Sequence, residues 1–412
     1  MTEKVARYSI YLNTAKTELV LAAKVGLLEK SGVLQRFQFR YLPDYLNHPN
    51  AFSLDPVSLP LTSADIHLSC NAGGMPALLD DYLPDAWGKR VLARLAFFKK
   101  KLRLREQSAL DILPMIGNSR IGAIQWVADG DDPIFELGAD VTRIADAEKT
   151  AQAIDSGEFQ SETSEEFSLT YLANAGTGVG GARPKALIEE KGIGYLAKFN
   201  SFTKDTYNNA RVELACLKMA KDAGVIVTDA KVISGINDRE VLLIERFDVD
   251  HSYRKHLITV NGLLKDPSNQ CDRGGAFFYD DVARLIRKYS YRPEQDLEQL
   301  LRIMFFNAVI HNTDDHERNF SFMHDGSGYC FAPAYDMVPS LAIGQYPIAG
   351  YHYSPYPLFP SKAKGKVFGL SSTKVSQIAE EMIETTLKWQ AYAELAGVSE
   401  QDILKLQTVI NH

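Results

Sequence analysis

The chain has 412 residues, 45% of them hydrophobic and 24% charged, with a formal net charge of −7. That length supports two or three cores, and the acidic balance excludes a protein drawn onto nucleic acid by an overall basic field, leaving only a local basic patch open. The opening MTEKVARYSIYL lacks the apolar run of a signal peptide, and no later stretch reaches the ~18 apolar residues of a membrane span, so a soluble cytoplasmic protein is expected.

Cys70, Cys216, Cys271 and Cys330 lie far apart and form no C-x-x-C pair, which argues against zinc and fits a reducing compartment. There is no internal repeat and no low-complexity tract. Residues 1–125 mix short strands with helix. Phe37 to Tyr41 alternates as a half-buried strand does, and Pro76 to about Lys101 is apolar at helical spacing, with Pro84 breaking or kinking it. Residues 126–168 are polar and acidic, as a surface connection between two bodies would be. Residues 169–275 read as a strand-rich lobe: Ala186–Ile188 and Tyr195–Phe199 flank a turn at Lys191–Gly194, a helix runs from Asn208 to Ala223, and Val241–Phe247 is a further strand. Residues 276–412 read as a helical lobe, with helices near 279–289, 294–311 and 374–396.

Three features carry chemistry. The stretch from Ala175 to Lys185 holds four glycines within six positions (Gly176, Gly178, Gly180, Gly181). Successive N–H groups in such a loop cradle phosphate, but a plain flexible turn is equally compatible, and the pattern is neither a P-loop nor a dinucleotide loop. Lys198, inside the apolar strand Tyr195–Phe199, is either a solvent-facing edge lysine or a cation reaching phosphates from the strand that follows the loop. Glu213, mid-helix between Val212 and Leu214, is either solvated or the ion-pair partner of Lys198.

The strongest signal is His311-Asn312-Thr313-Asp314-Asp315-His316-Glu317-Arg318-Asn319, directly after the apolar helix Leu300–Ile310. An Asp followed five residues later by Asn gives, from one loop, a group to orient an attacking hydroxyl and a hard oxygen ligand for Mg²⁺. Asp314 and Asn319 have that spacing, and Asp336 beyond a hairpin (Phe320–Met323, Tyr329–Phe331) supplies a second, charged ligand. A transition-metal site from His311, Asp314, Asp315 and His316, or a merely structural polar loop, are the rivals. The order of Gly loop, strand Lys, helix Glu, apolar strand, D-x-x-x-x-N and final Asp favours phosphoryl transfer.

With Gly180–Lys185, Tyr195–Phe199, Glu245-Arg246-Phe247-Asp248, Thr313–Phe320, Ala334-Tyr335-Asp336 and the N-terminal Asp81–Gly88, the chain resembles the HipA family of toxin kinases over most of its length. The resemblance implies an α+β, protein-kinase-like two-lobe fold with an N-terminal α/β subdomain, and an ATP- and Mg²⁺-dependent serine/threonine kinase. It assigns nucleotide contacts to Gly178, Gly180, Gly181, Lys185, Lys198, Glu245 and Phe247 (the last two as the hinge that holds adenine by its backbone). Lys198 and Asp314 are then catalytic, and Asn319 and Asp336 hold the metal. It also implies a helix-turn-helix antitoxin partner, operator DNA contacted mainly through that antitoxin, and a protein substrate such as an aminoacyl-tRNA synthetase. One departure is that the family's autophosphorylated serine has no match in register; Thr177 is the nearby hydroxyl. A small-molecule kinase of aminoglycoside-phosphotransferase type and a catalytically weak co-repressor are the alternatives. The Tyr-, Pro- and Gly-rich segment 342–366 is either a surface loop or a substrate-docking surface.

Overall fold

The computed structural model describes residues 3–15, 18–100, 104–116, 120–134, 138–156, 169, 172, 183–201, 205–236, 239–250, 253–341, 349–350 and 368–410. Thr177, Gly178, Gly180 and Gly181 lie outside the described residues, as does the segment 342–366 apart from 349–350.

The N-terminal body is an antiparallel sheet of β1 (Glu3–Ala15), β2 (Glu18–Lys30), β3 (Val33–Tyr41), β4 (Ile66–Ser69) and β5 (Ile124–Ala128), in the order β4-β3-β2-β1-β5. Ser31 and Gly32, both at positive φ, make the two-residue turn that joins β2 to β3. Phe37, Phe39 and Tyr41 are buried while Arg36, Gln38 and Arg40 are exposed, so the expected alternation holds. The covering helix spans Ala86–Lys100 and presents Trp87, Val91, Leu92 and Leu95 to the sheet. The chain breaks at Pro84 between this helix and the short Ala77–Asp80 turn, as the ring's missing N–H requires.

The second sheet contains β6 (Ala139–Asp140), β7 (Lys185–Glu190), β8 (Ile193–Phe199), β9 (Ala230–Ser234) and β10 (Glu240–Glu245), ordered β6-β7-β8-β10-β9. The β7–β8 hairpin turns on Lys191 and Gly192 alone, both at positive φ, and Ile193 and Gly194 belong to the strand. One face of β10, with Leu242 and Ile244, packs on the helix Asn209–Asp222. The other face, with Val241 and Leu243, joins Ala186, Ile188 and Ala197 in the same core as the N-terminal sheet. The segment 126–168 is therefore more than a connection. It supplies β6 and the helix Ile144–Ser156, whose Ile144, Ala147 and Ala151 recur at helical spacing and are buried in that shared core.

The helical lobe packs Tyr279–Tyr289, Pro293–Val309, Ser372–Thr386, Trp389–Leu395 and Glu400–Leu406 around one apolar core. The helix expected at 374–396 is two helices, separated at Leu387–Lys388. A three-stranded sheet, His256–Thr259, Ser321–His324 and Tyr329–Phe331, lies against this lobe and carries the loop that precedes it. No described helix is long and apolar enough to cross a membrane.

Candidate active site

Lys198 projects from β8 into a cleft of about 210 Å³ shared with Arg183, Lys185, Asp205, Tyr207, Asn209, Asp314, Asp336 and Ser340. Its Nζ lies 2.6 Å from Glu213 Oε1 and is also paired with the Asp336 carboxylate. Glu213 comes from the helix Asn209–Asp222, started by the Asn208 side chain accepting from Arg211 N–H at 3.3 Å and stopped at Gly224, where φ is +77°. Of the two readings of Lys198 and of Glu213, the paired one is realised: their side chains are only 11% and 6% exposed.

Burial alone would disfavour all three charges, and the cluster resolves this unequally. Burial opposes the Asp336 charge, yet Lys198 and Lys185 hold its carboxyl below the usual carboxylate range. Burial likewise opposes the Lys198 ammonium, and Asp336 and Glu213 together keep its pKa above the ordinary lysine value. Glu213 is pushed up by burial, with Lys198 pulling the other way. Lys198 and Asp336 thus stay charged, one donor and one acceptor in direct contact at the cleft.

The loop after the helix Pro293–Val309 turns sharply at His311, whose φ is +55°. A buried polar ladder braces it. Tyr279 Oη donates to Asp315 Oδ2 at 2.9 Å, Asn307 Nδ2 to Tyr279 Oη at 3.1 Å, and Asn312 Nδ2 to Asn307 Oδ1 at 3.1 Å. Asn312 also receives Asp314 N–H at 3.1 Å on its Oδ1 and reaches the Asp336 carbonyl at 3.4 Å. Asp314 and Asp336 are in this way tied to one amide. The Asp314 carboxylate opens to solvent, its side chain 63% exposed. Burial of its base raises its pKa, with His316 opposing. Asn319 Nδ2 donates to the Asp314 carbonyl at 2.7 Å, which fixes the amide and leaves the buried Asn319 Oδ1 without a hydrogen-bond partner.

That orphaned oxygen tests whether these residues fit Mg²⁺ and a nucleotide. Buried polar atoms are almost always satisfied, and a hard amide oxygen and an ionised carboxylate are the donor chemistry Mg²⁺ accepts, with its other positions left to phosphates and water. The residues fit. Among the described residues no group of three His, Cys, Asp or Glu side chains could hold a metal, so the rival site of His311, Asp314, Asp315 and His316 is not formed.

The other expected contacts are placed as follows. Lys185 lies directly opposite Lys198 across the β7–β8 ladder and lines the cleft, but its side chain is 2% exposed and its Nζ is 2.9 Å from Asp85 of the N-terminal body. Glu245 ends β10, and its N–H donates to the Asp229 carbonyl at 2.9 Å, so a backbone contact to adenine from this residue is limited to its carbonyl. Phe247 stacks on Tyr335, the residue before Asp336, with ring centroids 6.1 Å apart.

Sequence reasoning missed the clamp from the N-terminal body. Asp80 pairs with Arg318 of the loop that carries Asp314 at 2.9 Å and with Lys265 at 2.8 Å, and Asp81 receives Thr259 N–H and Oγ at 2.7 Å. These contacts span well over a hundred residues and leave no local signature. It also missed the ladder, although Asn307 inside an otherwise apolar helix was a readable signal, and Asn209, whose buried Oδ1 lacks a partner at the cleft wall.

Residues 177–390 match the HipA-like C-terminal domain and residues 19–127 the HipA N-terminal domain. The chain belongs to the HipA family. HipA of Shewanella oneidensis MR-1, solved with HipB and its operator DNA, superposes over 97% of this chain and 94% of its own with a TM-score of 0.65 at 16% identity. The fold is accordingly the α+β, kinase-like two-lobe architecture of HipA. Y4mE of Sinorhizobium fredii, provisionally named a kinase, is 30% identical over 149 residues, 34% of each chain. The chain thus spans about a third of the length of that curated relative.

Proposed function

We propose that the protein is an ATP- and Mg²⁺-dependent serine/threonine kinase, the toxin of a toxin–antitoxin pair, acting on a protein hydroxyl in the cytoplasm. The observation that carries this reading is the Lys198 ammonium held by Glu213 and Asp336 in one cleft with Asp314. Lys198 would leave Asp336 for the phosphates of a bound nucleotide, still oriented by Glu213. Asn319 Oδ1 and the Asp336 carboxylate would hold Mg²⁺, which supplies neutralisation of phosphate charge. The glycines Gly178, Gly180 and Gly181 would cover the phosphates, and Glu245 and Phe247 would border the adenine. Asp314, open to the cleft, orients the attacking hydroxyl and accepts its proton. The oxygen–γ-phosphorus bond forms as the β,γ-bridging bond breaks, with its electron pair leaving on ADP.

The partner reading rests on the Shewanella HipA, which was solved with HipB and operator DNA. A helix-turn-helix antitoxin would contact operator DNA and hold this chain, whose net charge of −7 gives it no general pull toward DNA. A small-molecule kinase for cationic substrates calls for an acidic pocket. The cleft instead balances Arg183, Lys185 and Lys198 against Asp205, Asp314 and Asp336.

Radiolabelled ATP added to the purified full chain with host lysate, followed by phosphoamino-acid analysis, tests the reading. Label on a protein serine or threonine that disappears with Asp314→Ala is the expected result. Equal labelling by that variant, or label only on small molecules, contradicts it.

A further inference from the structure

The cations of the cleft include Arg183, which the proposed mechanism does not use. Arg183 directly precedes Pro184, which biases it toward an extended backbone, and the Pro184 carbonyl accepts Phe199 N–H at 3.1 Å, anchoring this root of β7 beside Lys198. Two residues on, Lys185 faces Lys198 across the ladder. Arg183 lines the cleft together with Lys198, Asp314 and Asp336. Its Nη1 lies 2.9 Å from Asp205 Oδ1, and Asp205, only 6% exposed in its side chain, is itself fixed by accepting Ser201 N–H at 2.7 Å. Arg183 remains 42% exposed, so a held guanidinium presents further donors to the cleft. Its charge opposes the burial that raises Asp314 and adds to the lysines that hold Asp336 down.

A guanidinium fixed on one edge and open on the other is the donor that matches a phosphoryl group carrying charge on several oxygens. Lys198 would hold the triphosphate from β8, and Arg183 lines the same cleft as Lys198, Asp314 and Asp336. We infer that Arg183 is a further catalytic residue, binding the equatorial oxygens of the γ-phosphoryl group as it passes to the acceptor, with Asp205 as its positioning residue. This rests on the phosphotransfer reading above. The plain alternative is a strut, in which the Arg183–Asp205 pair only ties the root of β7 to the following loop.

The two roles separate by what they do to ground state and transition state. The full chain is titrated with a fluorescent methylanthraniloyl-ADP and Mg²⁺, with and without aluminium fluoride as the phosphoryl mimic, alongside ATP turnover and thermal melting. For Arg183→Ala we expect ADP affinity within about threefold of the parent, loss of most of the tightening caused by aluminium fluoride, and turnover lowered by about 100-fold or more. Arg183→Lys, the conservative variant, should recover part of both. Asp205→Asn should lower turnover less than Arg183→Ala while leaving ADP binding intact. Arg183→Ala that keeps the aluminium fluoride tightening and the turnover overturns the inference and leaves the kinase reading standing. So does a variant that weakens ADP alone and the mimic complex equally. A parent chain that binds no ADP, or shows no turnover, overturns both.

Discussion

The Arg246–Asp248 pair is buried and the Lys198–Asp336 pair half-buried, and the two face different surroundings. Arg246 and Asp248 are 2% and 3% exposed in their side chains and close a seam between the N-terminal body and the strand lobe. Arg246 donates to the Arg120 carbonyl at 2.9 Å, Arg254 to the same carbonyl at 3.0 Å, and Asp248 receives Gly122 N–H at 2.7 Å. Protein groups surround that pair on every side. Lys198 and Asp336 meet instead at the wall of an open cleft, where Glu213 gives Lys198 a second carboxylate partner. A buried pair enclosed by protein fixes two bodies, whereas a half-buried pair with a third partner and one open side can exchange a carboxylate for phosphate.

Substitutions on each side of this contrast should separate activity from stability. Asp314→Ala lies on the exchangeable side and should lower phosphotransfer by about a thousandfold or more with an unchanged melting temperature, measured by ATP turnover beside calorimetry. Asp248→Ala lies on the fixed side. It leaves the buried Arg246 without its carboxylate and should cost about 3–5 kcal/mol in denaturant unfolding, while nucleotide affinity per folded molecule stays the same.

The seam also holds His256, whose Nε2 is 2.7 Å from the Leu54 carbonyl, and His324, which stacks on Phe52 with centroids 3.7 Å apart. Burial lowers both imidazoles from 6.5 to about 4. Between those values the unfolded chain takes up protons that the folded chain refuses. Stability from these residues is therefore full above pH 6.5 and lost as pH falls toward 4, by about 3 kcal/mol for His256. Melting curves between pH 7 and 4 should show this loss, and His256→Phe should flatten it. Lys198→Met, by contrast, should lower turnover by roughly 100-fold and weaken ATP more than it changes melting, because Glu213 and Asp336 can take up water or protons at the open cleft.

Much of the cleft was legible because its signals are local. A lysine inside an apolar strand, a glutamate on the buried face of a capped helix and an Asp five residues before an Asn are readable in short windows, and Lys198, Glu213, Asp314 and Asp336 do converge on one cleft and its wall. The strand at Phe37–Tyr41, the β7–β8 hairpin and the helix from Asn208 followed from alternation and from Gly at their ends, whereas the long strands β1 and β2 were not read. What could not be read is what only the fold brings together. Lys185 looked like a loop lysine free for phosphate, yet Asp85, a hundred residues earlier, occupies its Nζ. The acidic composition of 126–168 hid a helix whose buried side mixes Ile144, Ala147 and Ala151 with Glu148 and Thr150, too small and too polar to register as an apolar stripe. Asp80, directly before a motif recognised for its resemblance alone, holds Arg318 of the loop that carries Asp314 through a contact 238 residues long.

The most direct test is a crystal structure of the full chain grown with Mg²⁺ and a non-hydrolysable ATP analogue. The account predicts a triphosphate against Lys198 with the Lys198–Asp336 pair opened, and a metal ~2.1 Å from Asn319 Oδ1 and an Asp336 oxygen. A nucleotide bound elsewhere, or a Lys198–Asp336 pair left closed beside it, would contradict the account.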